Sequence, residues 1–176
     1  MLAYLFVVLA VAVHIRWIAL PFSFTPVIAA LLYFGARMPR KQMWIPVLML
    51  AASDVYLTRV TYGYSITADH FVTWGFYAAA ILLGAAMIKG FSAVRIGATT
   101  LIGSVSFFLI SNFAVWAVWS LYPKTLGGLA ACYVAGLPFF RNAVASDLFF
   151  SAAFFGIGYL VSERMAAREA VAVSRR

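Results

Sequence analysis

One cysteine, five acidic residues and two histidines are all that this chain of 176 residues offers to the common chemistries of protein sites. The lone Cys132 excludes an internal disulfide and any metal site built from several cysteines, and it leaves the redox compartment open. No H-E-x-x-H, G-x-S-x-G or G-x-x-x-x-G-K-S/T motif occurs, so the chain carries no zinc-protease helix, no nucleophile elbow and no ATP-cradling loop. It reads as a non-enzyme without a cofactor. Charge is scarce as well: Asp, Glu, Lys and Arg make up 10% of the residues, against about a quarter in soluble domains.

What fills the chain instead is apolar surface, 65% of all residues. Long apolar stretches are interrupted only by short Arg and Lys clusters, the pattern of an all-α membrane protein. The net charge of +8 is spread between those stretches rather than along a basic face interleaved with aromatics, which argues against nucleic acid as a partner. The apolar N-terminus lacks a basic leader and a small-residue cleavage site, so it is expected to be a retained helix.

Six transmembrane helices are expected, over residues 2–20, 24–36, 43–57, 70–88, 96–119 and 142–161. Pro21 closes the first, because proline has no N–H for a continuing helix. The second has about thirteen residues where a perpendicular crossing needs roughly twenty, so it must tilt or begin within the membrane plane. Residues 125–137, rich in glycine, read as a helical segment lying over or dipping into one face. Residues 1–163 make a single transmembrane domain and residues 164–176 a basic cytoplasmic tail. The small-residue run from Ala80 to Gly84 suits a close helix contact.

Counting loop cations sets the orientation. With the N-terminus in the cytoplasm, Arg37, Arg40, Lys41, Lys89, Arg95, Arg164, Arg168, Arg175 and Arg176 collect inside. Only Arg59, Lys124 and Arg141 face outward, and Arg16 snorkels near the outer end of the first span. Both termini are therefore expected in the cytoplasm.

That orientation places His14, Asp54, Asn112, Trp116, Trp119, Arg141, Asn142 and Asp147 in one outer layer. Ionisable side chains are costly in hydrocarbon and usually face a bundle interior or a wet cavity. With Tyr62, Tyr64 and Trp74 they outline an outward-open ligand pocket. Each also has a plainer reading. Asp54 can pair structurally with Arg141, the tryptophans and tyrosines can form an interfacial belt, and His14 and Cys132 can simply pack. The pairs Phe107-Phe108, Phe139-Phe140, Phe149-Phe150 and Phe154-Phe155 read as core or lipid-facing.

Several segments resemble a known group. These are Phe24-Thr25-Pro26-Val27, Ser53-Asp54, Ser111-Asn112-Phe113 with Trp116, and the run from Tyr122-Pro123-Lys124-Thr125-Leu126 to Leu137-Pro138-Phe139-Phe140-Arg141-Asn142. They look like an uncharacterised bacterial membrane protein family similar to the S-components of energy-coupling-factor vitamin transporters. The resemblance implies a six-helix S-component-like bundle in the bacterial inner membrane, with a vitamin-like ligand held near the outer surface and an energising ATPase module as a possible partner. The spacing of His14, Asp54 and Arg141 also resembles the solitary vitamin B12 uptake proteins, which implies cobalamin or a related corrinoid. Two features of those relatives are missing: a cysteine between Tyr62 and Asp69, and an Ala-x-x-x-Ala motif on the first helix. Two other classes remain open. One is a structural or accessory subunit of a larger membrane complex. The other is a haem- or quinone-binding subunit using His14 and His70.

Overall fold

Apolar segments of this length can satisfy their backbone groups only by coiling. The computed structural model, which describes residues 1–16, 20 and 23–174, is accordingly helical, with no strand among those residues. Its α-helices are Leu2–His14 (α1), Val27–Arg37 (α2), Trp44–Tyr56 (α3), Ala68–Met87 (α4), Ala93–Val118 (α5) and Leu126–Ser174 (α6). A 3-10 turn before α3 and a π-helical turn after it extend that helix to Arg40–Thr61. This extended helix and those beginning at Ala68, Ala93 and Leu126 are long and apolar enough to cross a membrane.

Side-chain contacts fix the directions. Tyr4 reaches Gln42 and His14 reaches Asp54, so α1 and α3 run parallel. Contacts from Asp54 to Trp74 and from Thr58 to His70 turn α4 against α3. Contacts from Ser104 to Asp147 and from Thr100 to Ser151 set α5 and α6 antiparallel. Successive helices thus alternate, and the bundle has a His14 end and a tail end. The α2–α3 and α4–α5 connections, with Arg37, Arg40, Lys41, Lys89 and Arg95, all fall at the tail end.

The centre is α2, in which every residue from Val27 to Gly35 is buried. It packs on α1, α4 and α6, and it crosses α4 where Gly35 faces the backbone of Ile81 and Gly84 faces that of Leu32. A side chain at either glycine would run into the opposite backbone, so the crossing depends on their lack of one. The expected small-residue contact at Ala80 and Gly84 is this crossing.

Two boundaries differ from expectation. The first helix stops at His14 and not near residue 20, because the chain turns at Ile15 and Arg16, and Arg16 takes a left-handed φ of 63° that no α-helix continues. Pro21, expected to close this span, and Arg175 and Arg176 lie outside the described residues. With 13 and 11 residues, α1 and α2 are about 20 and 17 Å long, against a hydrocarbon core of about 30 Å.

The second difference is α6, a single helix of 49 residues with Pro138 inside. Residues 125–137 do not lie over the bundle. They continue into it, because Cys132 donates to the carbonyl of Asn112, Tyr133 to that of Leu109, and Phe140 stacks on Phe108. These partners on α5 accompany the helix through a proline that removes one backbone bond. At the other end the helix passes residue 163 without a break, and residues 159–172 are all exposed.

Candidate functional site

Two carboxylates are drawn into the bundle, and their surroundings differ. Asp54, near the end of α3, is a hub. His14 Nε2 meets its Oδ1 at 2.7 Å, while Trp74 Nε1 and Tyr77 Oη donate to its Oδ2 at 2.9 and 3.0 Å. Three helices therefore meet on one carboxylate, which is fully supplied with donors and only 13% exposed. Beside it, His70 has both ring nitrogens engaged, Nε2 with Thr58 and Nδ1 with the backbone N–H of Thr67 in the capping box that starts α4. A haem iron would find neither nitrogen free.

Asp147 is the second carboxylate, 3% exposed on α6. Its one described hydrogen bond comes from Ser104, which reaches Oδ2 at 2.6 Å. Hydroxyls continue the seam towards the tail end, where Thr100 donates to Ser151. On the α2 side Ser146 donates to the carbonyl of Thr25.

Between these centres lies a cavity of about 300 Å³. Its walls are the end of α1 (His14), the non-helical residues Ser23 and Thr25, the first turn of α2, Tyr77 of α4, and the facing surfaces of α5 and α6 with Asp147. The cavity thus sits where the two half-length helices stop. Backbone outside a helix is tolerated at membrane depth only where protein buries it or where it lines a wet cavity.

A protein-family pattern spans residues 1–170 of this chain, and so takes in both carboxylates and the whole cavity wall. The chain belongs to DUF6580, a family of unknown function. No curated protein and no solved structure matches it.

Of the residues proposed from the sequence of this DUF6580 protein, His14, Asn112 and Asp147 share the cavity wall. Asp54 and Trp74 stand behind it, joined to it through His14 and Tyr77. The others are elsewhere. Trp116 and Trp119 fasten the α5–α6 turn: Trp116 Nε1 donates to the carbonyl of Pro123, and Lys124 Nζ donates to the carbonyls of Trp116 and Trp119. Tyr62 and Tyr64 are exposed and stack on each other beyond the π-helical turn. Asn142 is half-buried on α6 and does not line the cavity.

Arg141 does not meet Asp54. It is exposed on α6 and in no ion pair among the described residues, and α6 packs on α5 and α2 whereas α3 packs on α1 and α4. The substitution Arg141→Gln is therefore expected to change stability by no more than about 0.5 kcal/mol, the range of an unpartnered surface site. Thermal unfolding of the purified variant checks this.

Tyr77, Ser104 and the phenylalanines Phe107, Phe108, Phe139 and Phe140 are cavity residues that the polar pattern did not single out. A signal existed. His70, Trp74 and Tyr77 recur at helical spacing on one face of α4, and Thr100 and Ser104 do so on α5.

Proposed function

We propose that this protein is a multi-pass protein of the bacterial inner membrane that takes up a small, vitamin-sized molecule. Its six helical segments lie in the bilayer with both termini in the cytoplasm, and the cavity beside Asp147 and His14 receives the ligand from the outer face. The observation that carries this reading is the cavity's place at the paired ends of α1 and α2. Non-helical backbone at membrane depth needs protein or a wet cavity beside it, and here Ser23 and Thr25 border one. The tail-end cluster of cations supports the orientation. An energising ATPase module at the tail end fits the S-component resemblance.

The size of the cavity narrows the ligand. At about 300 Å³ it stands at the lower end of small-molecule pockets, which run to about 1,000 Å³. This favours a ligand of one or two rings over a corrinoid. A second reading, a structural or accessory subunit, is favoured by one observation: the Asp54 hub needs no ligand to satisfy it.

A cavity-filling change separates the two. Ala143→Phe places a ring among the lining residues, and it is expected to leave the folded yield intact while abolishing co-purification of a small molecule seen by mass spectrometry with the unaltered protein. An identical small-molecule content in both proteins would refute the cavity reading. For the orientation, a reporter fused after Arg176 is expected to be active as a cytoplasmic marker, and periplasmic activity would overturn it.

A further inference from the structure

The two buried acids differ in what they still lack, and the difference points to a ligand of one charge. Asp54 receives three donors, one of them a histidine that can carry the compensating charge. Asp147 receives one described donor, the hydroxyl of Ser104. The two oxygens are 2.6 Å apart. Ser104 also lies 3.0 Å from the carbonyl of Thr100. Asp147 thus keeps acceptor capacity that no described side chain fills.

No described cation answers it. The cavity lining contains neither lysine nor arginine, and its histidine is already held by Asp54. Arg141 precedes Asp147 by six residues on α6, which turns its side chain about 240° around the helix axis, away from the carboxylate. A buried carboxylate without a counter-charge is costly, and a bound cation removes that cost.

The rest of the wall suits the same guest. Phe107, Phe108, Phe139 and Phe140 border the space, and the faces of aromatic rings attract cations, quaternary ammonium groups above all. Asn112 and Ser111 add polar groups at the end away from Asp147.

We propose that the cavity selects a small organic monocation, an amine or quaternary ammonium compound, held by Asp147 at one end and by the phenylalanine ring faces around it. This rests on the small-molecule reading above and adds the charge class.

The test is a charge series of one shape, titrated against the full-length protein in detergent: choline, its neutral carbon isostere dimethylbutanol, and the matching anion dimethylbutanoate. Choline is expected to bind more tightly than the neutral isostere by about tenfold or more, and the anion not at all. Asp147→Asn is expected to erase the preference, whereas Ser104→Ala, which keeps the carboxylate, is expected to retain it. If Asp147→Asn does not fold, the series on the unaltered protein decides alone. Equal binding of choline and the neutral isostere, or binding of the anion, would overturn the charge assignment and leave the cavity as a ligand site. Failure of all three to bind would overturn the monocation proposal, while the small-molecule reading stands or falls on the Ala143→Phe comparison.

Discussion

Replacing Asp54 with alanine is expected to destabilise the protein by about 3 kcal/mol or more, because each buried donor left without its acceptor costs about 1–3 kcal/mol. The carboxylate is the only described acceptor for the side-chain donors of Trp74 and Tyr77 and the partner of His14 Nε2. Its loss leaves three polar groups on two helices without the partner that joins them. Asp54→Asn is expected to be milder, about 1–3 kcal/mol. The amide oxygen can still accept from Trp74 and Tyr77, and the amide NH₂ can donate to a neutral His14 whose Nε2 is unprotonated. Denaturant titration and the monodisperse yield in detergent should rank the unaltered protein above Asp54→Asn, and Asp54→Ala last. A fully stable Asp54→Ala would contradict the hub.

The second large effect is expected at the α2–α4 crossing. Gly35→Ala and Gly84→Ala each push a methyl group against backbone, of Ile81 and of Leu32 respectively, and backbone cannot rotate aside as a flexible side chain can. Overpacking of this kind costs about 1–3 kcal/mol and occasionally more, and α2 has no exposed face towards which to shift. The double variant is expected to cost less than the sum, because helices already separated by one methyl accommodate the second. Gly75→Ala and Gly97→Ala provide the control. Nothing lies within 4 Å of a methyl group at either site, so these variants are expected to gain up to about 1 kcal/mol of helix propensity. Melting temperatures of the four single variants should divide into two low and two unchanged or raised.

The sequence makes some of this legible for identifiable reasons. The short second span is visible because Pro26 and the Arg37–Lys41 cluster bracket it. The convergence of His14, Asn112 and Asp147 follows from helix order and direction alone. What residue type cannot supply is the partner. Asp54 meets His14 because α1 and α3 run side by side, and Arg141 is turned away because of its angle on α6; neither fact is local to the chain. The continuity of α6 is hidden for the same reason. Gly127, Gly128, Gly136 and Pro138 all weaken a helix by local propensity, and only contact with α5 restores it. At Gly136 the two helices come close, since a methyl group there would lie 2.6 Å from Asn112 Oδ1, whose side chain would have to move. The phenylalanines of the cavity are invisible to any search for polar groups, because an aromatic face binds through its quadrupole and carries no formal charge.

The central proposal, that the cavity at the paired ends of α1 and α2 receives its ligand from the outer face, is tested most directly by thiol labelling in intact cells. Cys132 is the only cysteine, so Cys132→Ser gives a clean background. In it Ser111→Cys places one thiol on the cavity wall. The account predicts that a membrane-impermeant thiol reagent added outside intact cells labels this cysteine. Labelling only after the cells are opened, or none in either preparation, would contradict it.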